Sequence, residues 1–224
     1  MGRFLTAALL LSLGAGPAAA QARPPAADLA RSLQQRYDRV RDFSADFVHT
    51  YRGGVLRTQA TERGTMRVKK PGRMRWEYTA PEKKTFVSDG AKIYSYIPQD
   101  RQVIVTDVPA GNQAGTPILF LAGTGDVTRD FTASYAAADA AGAVPGTWAL
   151  KLVPRKPEPE YDSLVLHLDP ATLQIRALTT TDAQGGESRF TFSNMKENRG
   201  LSDKEFAFRI PRGVDVITDG RVSR

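Results

Sequence analysis

The spacing of apolar residues first changes near residue 42. Before that point Leu29, Leu33, Tyr37 and Val40 recur at helical intervals, with Arg31, Gln34, Gln35, Asp38 and Arg41 on the opposite side. With Asp28 as N-cap, the pattern predicts one amphipathic helix of about four turns. From Phe43 onward the period falls to two, and turn signals recur at Gly53-Gly54, Pro71-Gly72, Asp89-Gly90 and Gln99-Asp100. Short β-rich runs between such turns predict a meander of antiparallel strands. Met74, Trp76 and Tyr78 fall on one face of a strand, and Arg73, Arg75 and Glu77 on the other.

Residues 107–115 read as a loop. Thr116 and Pro117 then open a short helix, Ile118, Leu119, Phe120, Leu121 and Ala122, which ends at Gly123. A two-turn surface helix needs one apolar stripe; this one is apolar almost all round, so apolar material is expected on more than one side of it. Strand signals resume at 131–135, 147–153, 164–168, 174–181, 188–194, 205–210 and 214–217, with a proline-rich loop at 154–160. An antiparallel sheet of about ten or eleven strands must curl or split. The two amphipathic helices are then the elements available to cover its inner face.

The N-terminus adds a further segment. Arg3, an apolar run over 4–13, a Gly/Pro break and Ala18-Ala19-Ala20 have the order of a secretory signal peptide, and the run is too short to span a membrane. Residues 1–20 are expected to be that signal, cleaved after Ala20 or Ala22, with 21–27 a flexible leader and 28–224 one domain. There is no cysteine, so the core must hold without disulfides. The same lack excludes an acylated N-terminal cysteine. Without Arg3 the net charge is about +6, a balance that attracts anionic partners. Export from the cytoplasm argues against nucleic acid as that partner, despite the basic stretch 67–75 beside Trp76 and Tyr78.

Motifs for catalysis are missing. The chain has no Gly-x-Ser-x-Gly elbow, no His-Glu-x-x-His and no phosphate-binding loop. His49 and His167 each stand alone in a strand-like run, no Ser–His pairing is legible, and no Cys/His set suggests a metal. Neither catalysis, a cofactor nor a metal is expected.

Several segments together resemble the periplasmic lipoprotein carrier family LolA. Phe43-Ser44-Ala45-Asp46-Phe47 is similar to its Phe-x-x-x-Phe segment, and Lys69-Lys70-Pro71 with Trp76 to its Lys-Arg-Pro to Trp strand pair. Ser88-Asp89-Gly90 followed by Ile93-Tyr94-Ser95-Tyr96 is similar to its Ser-Asp-Gly hairpin, Thr116-Pro117-Ile118-Leu119 to its lid helix, and Phe206-Ala207-Phe208 with Pro211-Arg212-Gly213-Val214 to its C-terminal strand. The resemblance implies a mainly β, single-domain, incomplete antiparallel barrel with a lid of short α-helices over an apolar cavity.

Such a protein would be a monomer in the periplasm that binds the acyl chains of lipoproteins. An inner-membrane lipoprotein-releasing ABC transporter would load it, and an outer-membrane receptor would unload it. Tyr37, Val40, Phe47, Trp76, Pro117, Ile118, Leu119, Phe120 and Leu121 would line the lid and cavity. The family's Arg before the proline holds the lid; here the position is Lys70, expected to act as a weaker latch bonding near Leu121 and Ala122. Lys83, Lys84 and Arg101 are candidates for a docking surface. The alternative reading is an envelope-stress sensor, or another periplasmic lipid-binding protein, on the same half-barrel.

Overall fold

The computed structural model describes residues 22–53, 58–108, 121, 123, 125–137, 143–218 and 221–223. It begins with helix α1, Ala26–Asp38. Pro25 is its N-cap, and Asp28, expected there, lies in the first turn paired with Arg31. Proline suits this boundary because its fixed φ and missing N–H fit the start of a helix. Of the stripe foreseen from spacing, Leu29, Leu33 and Tyr37 are buried on the helix together with Ala30, while Val40 is buried just beyond its end. No helix among the described residues is long and apolar enough to cross a membrane.

Six strands follow: β1 Asp42–Arg52, β2 Gln59–Lys69, β3 Arg73–Ala80, β4 Lys84–Asp89, β5 Lys92–Ile97 and β6 Gln102–Asp107. Each pairs antiparallel with the next. A short helix α2, Val127–Asp130, leads into β7 Phe131–Tyr135, β8 Trp148–Pro154, β9 Ser163–Leu168, β10 Ile175–Thr181 and β11 Glu187–Glu197. Asp126 caps α2, accepting from the backbone N–H groups of Thr128 and Arg129 at 2.8 Å. Strand β11 returns to pair with β1, joining the two runs into one sheet.

Two expectations are corrected in the C-terminal region. Residues 205–210 alternate apolar and polar, yet Asp203–Phe206 forms a 3-10 helix. Ser202 and Glu205 form a reciprocal capping box there, which satisfies the first N–H groups locally and competes with strand pairing. Phe206 is buried, and Phe208 stacks against Tyr94 at 5.3 Å. The segment thus packs on the outer face of the first run instead of extending the sheet. The chain then re-enters as β12 Asp215–Thr218, which pairs parallel with β6, and ends in β13 Arg221–Ser223. The sheet is therefore mixed, and among the described residues it holds thirteen strands where about eleven were expected.

The strand order runs β13-β12-β6-β5-β4-β3-β2-β1-β11-β10-β9-β8-β7, open at β13 and β7. A sheet of this breadth curls, and the aromatic contacts register the curl. Strand β3 is three positions from β11, about 14 Å in a flat sheet, while the ring centroids of Trp76 and Phe190 are 5.2 Å apart. Close approach also requires Gly64. A Cβ there would fall 2.1 Å from the Glu77 carbonyl oxygen and 2.7 Å from Phe47 Cζ, and the β2–β3 register shifts at this residue. One buried core joins α1 to the inner faces of both runs: Phe47, Met66 and Trp76 from the first, Leu150, Leu166 and Phe192 from the second.

Candidate functional site

Register sets the inner face of the first run into rows. Phe43, Val68 and Met74 form the row next to α1. Ala45, Met66, Trp76 and Phe86 form the second, and Phe47, Gly64, Tyr78 and Lys84 the third, with Phe192 opposite Phe47. His49 and Glu62 form the fourth, with Phe190 opposite His49. Successive rows are two residues apart, about 7 Å along the strands. The face is therefore apolar from the α1 end through its middle and polar at the far end.

The middle is an aromatic cluster. Phe47 meets Trp76 and Tyr78 edge-on at 5.0 and 4.9 Å, and Phe190 closes on Trp76 from β11. Edge-to-face pairs of this kind contribute about 0.5–1.5 kcal/mol each beyond their burial. Trp76 is 2% exposed.

At the α1 end three residues are chained together. Tyr37 donates its hydroxyl to the Leu121 carbonyl, and Lys70 donates to the Tyr37 carbonyl at 2.5 Å. The Lys70 ammonium also lies 3.2 Å from the centroid of the Tyr37 ring. Gly123, at φ +80°, presses on the Lys70 stem, where a Cβ would approach to 2.8 Å of its Cδ. Burial keeps the Tyr37 phenol protonated, and burial lowers Lys70 to about 8 from its usual value near 10.5, although the Asp38 carboxylate opposes the shift. Beneath Tyr37 and Leu121 lies a cavity of about 10 Å³, lined by Val40, Phe43, Ile175 and Phe192 among others. That is less than an acyl chain requires.

Tyr37, Val40, Phe47, Trp76 and Leu121, expected to belong together, share this one buried core. Pro117, Ile118, Leu119 and Phe120 lie outside the described residues, as does Ala122. Lys70, expected to bond near Leu121 and Ala122, donates to the Tyr37 carbonyl, and the Tyr37 hydroxyl carries the connection onward to Leu121.

The polar end holds what sequence reasoning missed. His49 stacks on Phe190 at 4.1 Å and 2°, with Nε2 2.8 Å from Ser188 Oγ and Nδ1 3.2 Å from Glu62 Oε2. Lys84, a docking candidate from sequence, instead bonds to Glu62 and lies over the Tyr78 ring at 4.9 Å. Burial lowers His49 below its usual value despite the Glu62 carboxylate. Burial alone would raise Glu62, but Lys84 and His49 hold its carboxyl low. No nucleophile and base pair was legible in the sequence because β1 and β11 bring Ser188 and His49 together from 139 residues apart. Their common face was legible in the alternation of Phe47 and His49; the β1–β11 pairing was not.

Ser188, His49 and Glu62 have the connectivity of a nucleophile, base and orienting acid. Acyl transfer also needs donors preorganised for the developing oxyanion. Strand β11 is paired on both sides, to β1 and β10, so the backbone N–H groups around Ser188 belong to the sheet. The trio is a polar border to the aromatic cluster.

Similarity to known proteins agrees with this architecture. The sequence profile described as outer membrane lipoprotein carrier protein LolA matches residues 38–209. A protein of Chromohalobacter salexigens called outer-membrane lipoprotein carrier protein is 33% identical over 205 residues, 91% of this chain and 92% of its own. Another so called, from Chromobacterium violaceum, is 29% identical over 201 residues, 90% of this chain and 93% of its own. Among solved structures, an uncharacterized conserved protein of Thermus thermophilus shares the fold, with a TM-score of 0.51 at 12% identity over 84% of this chain and 98% of its own. With its profile matched across all strands from β1 to β11, the chain belongs to the outer membrane lipoprotein carrier protein family, LolA.

Proposed function

We propose that the protein is a periplasmic carrier that takes up the acyl chains of lipoproteins leaving the inner membrane and delivers them to the outer membrane. The observation that carries this reading is the inner face: one apolar core spans both runs of the sheet and is closed at one end through Lys70, Tyr37 and Leu121. A buried acyl chain of about fourteen methylenes gains on the order of 11 kcal/mol at about 0.8 each. An open cavity of that size would be a sticky patch when empty. Helical residues that fill the face until cargo displaces them answer both requirements, and a few hydrogen bonds can hold them without trapping them. The Lys70–Tyr37–Leu121 chain is the latch in this reading, and Pro117, Ile118, Leu119 and Phe120 complete the lid.

In the same reading residues 1–20 direct export, residues 28–224 act as one monomeric domain, and the protein carries cargo without chemistry. An inner-membrane ABC transporter hands over the cargo, and an anchored outer-membrane receptor receives it. The deciding experiment is native mass spectrometry of the mature protein with a purified triacylated lipoprotein and with the same polypeptide lacking its lipid. A one-to-one complex with the acylated form alone is expected. No complex with either, from folded protein, would overturn the carrier reading in favour of a sensor or a different ligand.

A further inference from the structure

The indole nitrogen of Trp76 is buried and has no hydrogen-bond partner among the described residues. An indole N–H is a donor only, and tryptophan is normally placed where that donor finds an acceptor. Its surroundings explain why this one does not. In register it is flanked by Met66 and Phe86, and the rings of Phe47 and Phe190 meet it edge-on at 5.0 and 5.2 Å. A phenylalanine or leucine would fill an apolar core without leaving a donor unmatched.

Position gives the donor a use. Trp76 lies in the second row of the inner face, one row from Lys84 and two from His49 and Glu62. An acylated ligand is apolar along its chain and polar at its head, and the ester or amide carbonyl marks the junction. If the head lies at the polar border of His49, Glu62 and Lys84 and the chain runs toward α1, that junction passes Trp76 after one or two rows, about 7–14 Å. The carbonyl oxygen is an acceptor with two lone pairs and arrives already stripped of water.

We propose that the Trp76 indole N–H donates to a carbonyl oxygen of the bound acyl group, so that the site reads the acyl linkage as well as the hydrocarbon. This rests on the acyl-carrier reading and adds a specificity to it. A site built to hydrogen-bond a polar group rejects the analogue that lacks it, because its buried donor then stays unpaired. Apolar affinity alone would treat an acyl chain and an alkyl ether of equal length alike.

The test uses two synthetic probes: a cysteine peptide bearing dioctanoylglycerol through ester bonds, and its dioctyl ether analogue. Titration calorimetry on the mature protein is expected to give about tenfold tighter binding of the ester, the range set by satisfying one buried donor. In Trp76→Phe both probes should bind within about twofold of each other, whatever the change in overall affinity. Packing damage would weaken both probes and leave their ratio intact, so the ratio isolates the N–H. Should Trp76→Phe not fold, replacing Trp76 with 3-benzothienylalanine keeps the ring shape and removes only the donor. Nitrogen-15 NMR offers an independent readout, since the chain has two tryptophans: one indole N–H signal should move downfield with the ester and not with the ether. An equal ratio in wild type and variant, or no ester preference in the wild type, overturns the proposal and assigns the N–H to the faces of the neighbouring rings. Binding of neither probe overturns the carrier reading and this inference with it.

Discussion

Lys70 carries a cost as well as a bond. Burial disfavours its charged form, and the carbonyl and ring of Tyr37 only partly repay the lost water. Its value in this arrangement is about 8, below the usual 10.5 of an exposed lysine, so if Lys70 latches a lid as proposed, the closed form binds fewer protons than an open one between those values. Linkage then favours closure as pH rises from 8 to 10.5, and the ammonium biases the protein toward opening below 8. The protection factor at the Leu121 amide, with its intrinsic base-catalysed exchange divided out, should rise across that window in the wild type. Lys70→Arg should lose the dependence, because a guanidinium does not titrate there; an unchanged profile would remove Lys70 from the latch. Tyr37→Phe deletes the hydroxyl that reaches Leu121 and leaves a buried carbonyl unpaired, a loss of about 1–3 kcal/mol, read as a lower denaturant midpoint with faster exchange at Leu121. Gly64→Ala should cost more than the usual 1–3 kcal/mol of overpacking, because the added carbon meets the Glu77 backbone, which cannot rotate away. Retention of the wild-type melting temperature would contradict the close β2–β3 approach.

Among the elements, the turn after β11 is held by side chains from both ends of the seam: Asn198 accepts from the Arg41 N–H at 2.8 Å and donates to the Arg39 carbonyl at 3.3 Å. Asp42, 5% exposed, accepts from the backbone N–H of Arg199 at 2.8 Å and of Gly200 at 3.1 Å, while its own carbonyl accepts from Asn198. Nearby, Lys69 donates to the Leu201 carbonyl at 2.8 Å and pairs with Asp203. Together they aim the chain from the β1–β11 seam across the outer face, where Phe206 is buried. Asp42→Ala should leave two backbone donors without their acceptor and lower stability by about 2–4 kcal/mol, with raised exchange confined to residues 198–208. A uniform rise over all strands would mean that Asp42 supports the sheet as a whole. This path was hidden in the sequence because Phe206 and Phe208 satisfy a period of two; the capping pair Ser202 and Glu205 was the available signal against a strand.

For the molecule as a whole, the decisive property is that one core links α1 with both runs of the sheet. Neither run can unfold without exposing the other's inner face, so thermal unfolding followed by far-ultraviolet dichroism and by tryptophan fluorescence should trace one coincident transition. Trp76 and Trp148 report from opposite runs, which makes the comparison informative. Two separated transitions would divide the domain at the β1–β11 seam. The openness at β7 and β13 belongs to the same scale. A closed barrel would have a fixed lumen, whereas an open curled sheet leaves room to widen in the proposed uptake of an acyl chain.

The sequence by itself determined the local periods, and with them most strands, the helix α1 and the apolar side of β3. A side chain's face depends only on its neighbours two residues away, so Met74, Trp76 and Tyr78 could be placed together without knowing what they touch. It also carried the family resemblance, through the order of several weak motifs. Tertiary structure alone decided the β1–β11 pairing that brings Ser188 and Phe190 to His49, the parallel entry of β12 beside β6, and the route from Lys70 through Tyr37 to Leu121. Each depends on register or crossover between segments far apart in the chain, which no local period encodes. The unpaired donor of Trp76 belongs to this second class, because a buried polar group is recognised only when every neighbour is known.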